Sequence, residues 1–309
     1  MLSRVPFEVP ANLVELSRRT PQRRMAIVGA GHPVALESAR RATDAGLIEP
    51  VLIGGARDIA VHADKLGWDI SPFDIIDRES EAATAAEAAR LAARGAAETL
   101  MKGHVHTDAL MRAVLDRDAG LRTDRRVSHV FHMTVPKSDR VLLITDGAVN
   151  VAPNAETMID IVRNSVDVAH ALGIAEPKVA MLSGAETENP SMPSSLLAAE
   201  IVRRAKAGEI GGAVVDGPFA FDNAISLEAA RLKGIGGAVA GQADILAVPN
   251  IETGNALFKM MVHFMSGLAA GVVMGAKVPV VLTSRADPPE ARFAAAMLAS
   301  VVADAKRRP

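Results

Sequence analysis

The chain contains no cysteine and no tyrosine, and aromatic residues are only 3% of its 309 residues. Without cysteine there is no disulfide framework, no thiolate metal site and no cysteine nucleophile. With so few rings the core must be aliphatic, built from Val, Ile, Leu, Ala and Met, and hydrophobic residues supply 49% of the chain. A surplus of positive charge is missing as well: 34 Lys and Arg stand against 36 Asp and Glu, a formal charge of −2. A protein that grips a phosphate backbone needs a basic surplus, so no nucleic-acid partner is expected. Long apolar runs are also absent. The longest, Met265–Val273, is broken by glycines and falls short of the ~20 residues that cross a bilayer. The opening "MLSRVPFEVPANLVELSRRT" lacks the apolar stretch of a secretory signal. A cytoplasmic protein without a membrane partner is the expectation.

What is present is alternation. Short β-like runs, "MAIVGA" (25–30), "PVLIGG" (50–55) and "FDIID" (73–77), are separated by stretches with helical spacing. "VSHVFHMTV" (127–135) and "VLLIT" (141–145) read as neighbouring strands, followed by "KVAMLS" (178–183), "AVVDG" (213–217), "ADILAVP" (243–249) and "VPVVLT" (278–283). Helices are predicted over 155–173, 194–207, 222–233, 253–275 and 287–305, and the Ala-rich segment 79–103 as one long solvent-facing helix. Strands apolar almost throughout are covered on both faces, which points to a largely parallel sheet. The segment "PKSDR" (136–140) marks a boundary, and the last forty residues resume strand then helix. The division expected is therefore a discontinuous first domain, 1–138 plus 272–309, and a second domain, 139–271.

Ligands of such folds sit beyond the carboxyl ends of the strands, so the polar residues there are the candidates. "VGAGHPV" has Gly29 and Gly31 but Val34 where the dinucleotide fingerprint wants Gly or Ala, so a tight strand–helix turn explains it better. The eight histidines show no metal-ligand spacing, and no G-x-S-x-G elbow occurs. No metal site is expected. "KGHVHTDALMRAVL" (102–115) leads His106 and Thr107 into a helix carrying Arg112, which is either an anion-receptive helix end or an ordinary cap. Asn150 lies in "TDGAVNVAPN" and Asp216 opens "DGPFAFDNA", both just after strands. In "PNIETGNALFK", Asn255 and Lys259 share one helix face. "VLTSRADPPE" places Ser284 and Arg285 at the end of a strand, where guanidinium and hydroxyl can receive phosphate oxygens.

Taken in order, "KGHVHT", "TDGAVNVAPN", "SGAETENPSMPSS", "DGPFAFDNAISLEAARLKGI", "PNIETGNALFK" and "VLTSRAD" resemble the phosphate acetyl/butyryltransferase family, from about residue 20 to the end. "TDGAVN" and "TSRAD" are closer in wording to phosphate butyryltransferases. The resemblance implies two three-layer α/β domains around a cleft, like the isocitrate/isopropylmalate dehydrogenases, and a homodimer. It implies reversible transfer of a short acyl group, acetyl or butyryl, between CoA and inorganic phosphate. CoA is then a substrate, and no cofactor is required. Ser284 and Arg285 match the family's active-site pair. Arg112 matches the basic residue that follows its G-x-x-H-T turn, and Asn255 and Lys259 fall in its G-N-x-x-x-K segment. The acetyltransferases carry an Asp seven residues beyond the Ser; here that position is Ala291, so the general base is unassigned. Two other classes compete. A metal- and NAD-dependent hydroxyacid dehydrogenase of the same fold would use carboxylates, but Asp146, Asp216 and Asp222 lack the D-x-x-x-D arrangement. A non-catalytic acyl-CoA-sensing module would have no need of Ser284 and Arg285.

Overall fold

The computed structural model describes residues 3–283 and 287–307, in two compact α/β units. One unit comprises Glu8–Arg125 and Ala270–Pro309, the other Met1–Phe7 and Arg126–Ala269.

The first unit opens with α1 (Ala11–Arg18) and then alternates: β1 (Arg23–Val28), α2 (Pro33–Asp44), β2 (Ile48–Gly54), α3 (Ala56–Leu66), β3 (Asp74–Asp77), α4 (Glu81–Ala93), β4 (Thr99–Lys102), α5 (Thr107–Leu115). The second unit holds β5 (Ser128–Thr134), β6 (Leu142–Thr145), α6 (Ala155–Ala171), β7 (Lys178–Leu182), α7 (Pro193–Lys206), β8 (Val214–Phe219), α8 (Phe221–Ile225), α9 (Leu227–Leu232), β9 (Ile245–Ala247) and α10 (Ile251–Met265). The chain then forms β10 (Leu268–Met274), β11 (Val280–Val281) and α11 (Pro289–Ala305).

In the first unit β3, β2, β1, β4 and β11 are neighbours in that order, all parallel, and β10 adds antiparallel to β11. In the second, β6, β9, β7 and β8 are parallel neighbours, and β5 joins β6 antiparallel. The hairpin β5–β6 lies wholly in the second unit. Its turn contains "PKSDR", the segment at which the sequence suggests a boundary, whereas the chain passes between units at Phe7–Glu8, Arg125–Arg126 and Ala269–Ala270.

The aliphatic core follows from composition. Met25, Ile27, Leu52, Ile53 and Leu100 on the central strands are fully buried. Alanine lets helices lie close: α11 is buried almost all round, and α1 packs on it. The start of β1 is pinned to that helix by Arg23, which pairs with Asp304 and, at 3.3 Å, with Glu98. All three carboxylate and guanidinium groups are largely buried, and removing one partner of such a set costs roughly 3–5 kcal/mol.

Three sequence expectations change. The Ala-rich stretch is a helix only to Ala93; Gly95 turns with φ 76°, and Thr99–Lys102 is a buried strand. Nor is that helix wholly solvent-facing, since Ala85, Ala88, Ala89, Leu91 and Ala92 are buried. The helix predicted over 253–275 ends at Met265, where Ser266 takes a left-handed φ of 51°, and Leu268–Met274 is a strand. The helix over 222–233 is two short ones, because Ser226 is extended and caps the second by accepting from the Ala229 amide.

His129 and His132 on β5 are both buried. Nδ1 of His129 and both ring nitrogens of His132 find no hydrogen-bond partner among the described residues. Burial holds His129 down at about 3 and His132 at about 4, against an ordinary 6.5. The unfolded chain therefore takes up protons below 6.5 that the folded chain refuses. Stability is full above that pH and drains away as pH falls toward 4, by roughly 1.4 kcal/mol per ring per pH unit. Urea unfolding at about pH 7.5 and about pH 5 measures this. His132→Leu should lose roughly 2 kcal/mol less than the wild type over that interval. Equal losses would show that His132 is not a source of acid sensitivity.

Candidate active site

In the first unit, β1, β4 and β11 are parallel neighbours, so their carboxyl ends share one edge. After β1 the chain turns through Gly29 at φ 82° and enters α2. After β4 it turns through Gly103, whose amide donates to Val28 O at 2.8 Å, while the His104 amide donates to Gly29 O at 2.9 Å. Neither glycine tolerates a side chain here. A Cβ on Gly103 would lie 2.6 Å from Gly29 O, and one on Gly29 would lie 2.9 Å from His104 O.

That closeness brings His32 and His104 face to face, with ring centroids 4.2 Å apart and planes within 2°. His32 Nδ1 accepts from the Val34 amide at 3.2 Å and so caps α2, which leaves the ring's proton on Nε2. Beneath the pair is a cavity of about 60 Å³ lined by Ile27, Val34, Ala35, Ser38, Met101 and polar groups from four places in the chain. Those groups are the two imidazoles, Lys102 at the end of β4, Thr283 after β11, and Arg292 on α11. Lys102 is buried, with Nζ 3.4 Å from Val105 O and 3.5 Å from Gly103 O. Arg292 is also buried; its Nε donates to Ser38 Oγ at 2.9 Å and its Nη1 to the Asp287 carbonyl. Among the described residues, no Asp or Glu lines the cavity.

Ser284 and Arg285, the pair singled out from sequence, lie outside the described residues; Thr283 immediately precedes them. The start of α5 differs from the expected anion receiver. His106, not Thr107, is the N-cap, and its side chain makes no cap. Instead Glu81 takes the helix end: its carboxylate accepts from the His106 amide at 3.1 Å and pairs with Nδ1 at 2.9 Å. The His106 amide and ring hold Glu81 below the usual carboxylate range. A carboxylate of this chain thus already sits where a ligand anion was expected. Thr107 is exposed in the first turn, and Arg112 is exposed in the last.

In the second unit the loop after β6 is organised by Asp146. Oδ1 accepts from the Ala148 and Val149 amides at 2.9 and 3.1 Å, and Oδ2 from the Asn150 amide at 3.1 Å and its Nδ2 at 2.7 Å. Burial pushes the Asp146 carboxyl up, and these donors oppose it. Asn150 Nδ2 also donates to Val127 O at 2.9 Å, so this amide ties the loop to the residue that precedes β5. Asn255 Nδ2 donates to Gly147 O at 3.3 Å, joining α10 to the same loop. Lys259 is exposed one turn on, its ammonium 6.0 Å from the Phe258 ring centre. Asp216 is half-buried on β8 and accepts from the Gly217 amide at 2.9 Å. Asn150 and Asn255 thus meet at one loop, while no hydrogen bond joins Asp216 to it among the described residues. Also among the described residues, no group of three or more His, Asp or Glu is placed to hold a metal ion.

Sequence reasoning did not single out Lys102 and Arg292, which line this cavity. A signal for the first existed: Lys at the end of a buried apolar strand, just before a Gly turn. It was hidden because that strand was read as the tail of a helix.

The family model described as "Phosphate acetyl/butaryl transferase" matches residues 82–300. A phosphate acetyltransferase of Rhizobium meliloti is 45% identical over 286 residues, 92% of this chain and 90% of that protein. A phosphate butyryltransferase of Clostridium acetobutylicum is 42% identical over 284 residues, 92% of this chain and 94% of that protein. The crystal structure of a branched-chain phosphotransacylase from Enterococcus faecalis matches with a TM-score of 0.80 at 35% identity, covering 91% of this chain and 99% of that one.

The loop after β6 and the first turn of α10 meet through two more glycines. A Cβ on Gly254 would lie 2.8 Å from Gly147 Cα and 2.9 Å from Asp146 O. Gly254→Ala should cost roughly 1–3 kcal/mol in thermal unfolding. Gly147→Ala should cost a similar amount, and the double variant should cost less than the sum, because both strain one contact. Strict additivity would show that the two glycines act independently.

Proposed function

The chain belongs to the phosphate acetyl/butyryl transferase family, and on that premise we infer that it is a phosphate acyltransferase moving a short acyl group between CoA and inorganic phosphate. The observation that carries this reading is the likeness to acyltransferases at 45% and 42% identity over 92% of the chain. The dehydrogenase and sensor alternatives gain no such support.

The chemistry asks mainly for positioning and charge. An oxygen of hydrogen phosphate attacks the thioester carbon, a C–O bond forms, the C–S bond breaks, and the phosphate's proton leaves with the CoA sulfur. Acyl phosphate and CoA result. Holding two reactants in place contributes roughly 7–11 kcal/mol, and one well-placed donor to a developing oxyanion roughly 3–4 kcal/mol. Arg285 is the clamp for phosphate and Ser284 the donor to the phosphate or tetrahedral oxygen. With no cysteine in the chain, a thiol-borne acyl-enzyme is excluded, which favours direct transfer in a ternary complex. CoA is a substrate in this scheme, and no cofactor or metal takes part. The place of the acetyltransferases' Asp is held by Ala291, which is buried, and Glu290 pairs with Arg41 at 3.6 Å. The cytoplasm is the location this reading implies.

The relatives' names span acetyl, butyryl and branched-chain substrates, so the assay must span them too. Phosphate-dependent thiol release is measured across acetyl-, propionyl-, butyryl- and branched acyl-CoA. Ser284→Ala and Arg285→Gln should each lower turnover about 10²–10³-fold. Wild-type turnover in both would remove these roles.

The same reading includes a homodimer, and α10 is the surface that suits it. Along α10 only Gly254 is buried, whereas Met260, Phe264 and Met265 are 52%, 61% and 49% exposed. A second copy offering the same helix would cover these side chains in an isologous interface. Phe264→Glu should convert a sedimenting dimer to monomer. A dimer unchanged in mass and affinity would exclude this face.

A further inference from the structure

We propose that His106, oriented by Glu81, is the acid–base residue of acyl transfer and carries a proton between the phosphate and the CoA sulfur. The role takes the acyltransferase reading as its premise and fills the place left open by Ala291.

The pair is built from two strand ends of the first unit. Glu81 opens α4, a few residues after β3, and His106 is the N-cap residue of α5, a few residues after β4. β3 and β4 belong to one parallel set, so both residues stand at the edge where ligands of such sheets collect. The Glu81 carboxylate meets Nδ1 of His106 with both oxygens, at 2.9 and 3.0 Å, and Oε2 also accepts from the His106 amide. The His106 carbonyl in turn accepts from the Ala109 and Leu110 amides at 3.1 and 3.3 Å, and the preceding Val105 is buried. Ring and main chain are thereby fixed together.

The pairing decides the tautomer. Held below the usual carboxylate range, Glu81 is ionised at neutral pH and can only accept. The ring proton therefore lies on Nδ1 and the lone pair on Nε2. Among the described residues no hydrogen bond takes that lone pair, and 75% of the His106 side chain is exposed. A carboxylate behind an imidazole and an open nitrogen in front is what a general base uses: the carboxylate fixes orientation and stabilises the imidazolium that forms. Other histidines are set differently. His32 has the opposite tautomer, His170 Nε2 pairs with the Gly212 carbonyl, and His129 and His132 are sealed in the core. The proton balance is simple. As the phosphate oxygen bonds the thioester carbon, Nε2 takes the phosphate's proton. As the C–S bond breaks, Nε2 gives it to the sulfur, and the ring ends as it began. In reverse the same nitrogen takes the thiol proton.

Turnover is measured from butyryl phosphate and CoA, the direction in which the thiol must lose its proton. His106→Ala should lower kcat about 10²–10⁴-fold, with KM for both substrates within about threefold. The variant depends on thiolate formed in solution, so its rate relative to wild type should climb with pH, by up to about tenfold per unit below the thiol's pKa of ~8.5. Two further titratable groups lie on the same segment, His104 in the loop and Asp108 in the first turn of α5; in the ratio of variant to wild type their titration cancels. Free imidazole should raise the His106→Ala rate roughly tenfold. Glu81→Gln keeps an acceptor for the amide but loses the charge, and should lower kcat about tenfold without changing KM. Wild-type kcat in His106→Ala, a loss confined to KM, or a deficit equal at every pH overturns the assignment and leaves the proton to phosphate itself. Ring-nitrogen NMR of histidine-labelled protein needs no substrate. His106 should carry its proton on Nδ1 in wild type and shift toward Nε2 in Glu81→Gln. A proton on Nε2 in wild type refutes the pair whatever the activity. A proton on Nδ1 in a wild type that turns over no acyl-CoA supports the pair and fails the acyltransferase reading alone.

Discussion

The first unit's site depends on two strand ends that touch backbone to backbone. Gly103 fits against Gly29 O only because it has no Cβ. The two amide bonds that cross there, Gly103 to Val28 and His104 to Gly29, fix β4 relative to β1 beyond the last paired residue. Everything that lines the cavity from β4 is set by this contact. Lys102 immediately precedes Gly103, and His104 immediately follows. Any side chain at 103 would lever the end of β4 away from β1, moving the ammonium and the imidazole together. The second unit repeats the device in a different setting. There Gly147 and Gly254 let a strand-end loop lie against the first turn of α10, and Asp146 folds that loop around its own carboxylate. In both units the edge expected to receive ligands is built by removing side chains, so polar groups can be brought close without distorting the strands.

Much of the fold was legible because parallel strands buried on both faces leave continuous apolar runs. "MAIVGA", "PVLIGG" and "KVAMLS" needed no further information. The failures share one cause. Thr99–Lys102 follows a run of alanines, and its own Leu and Met are good helix formers, so local preference speaks for helix. Pairing with β1 on one side and β11 on the other decides for strand. Leu268–Met274 follows a long helix in the same way, and only the left-handed turn at Ser266 separates the two. Such turns are usually announced by glycine or asparagine; serine gives little warning.

The site was less legible than the fold. The strand-end rule selects polar residues by position, but position does not say what a side chain bonds to. Asn150 lies where a ligand residue would, yet its amide closes its own loop onto the residue that precedes β5. His106 stands at a helix start, yet Glu81 from the neighbouring α4 already satisfies it. Arg292 is the opposite case. Nothing near it in sequence marks it, because its hydroxyl partner Ser38 is 254 positions away. Its place in the cavity is a product of α11 returning to pack beside α2.

Buried charges elsewhere in the first unit are held in structural sets. Arg23 lies between Glu98 and Asp304, and Glu87 is gripped by both Arg78 and Arg90. In each case the opposite charge is supplied by this chain at contact distance, so the set is neutralised where it stands. Lys102 and Arg292, by comparison, line a small cavity together with Thr283 and two imidazoles. The same accounting bears on the missing base. Hydrogen phosphate brings to the reaction the proton that CoA carries away, so the stoichiometry requires no carboxylate at the position of Ala291. What a site of this kind requires is fixed positive charge around the attacking oxyanion and exclusion of acidic side chains that would compete for it.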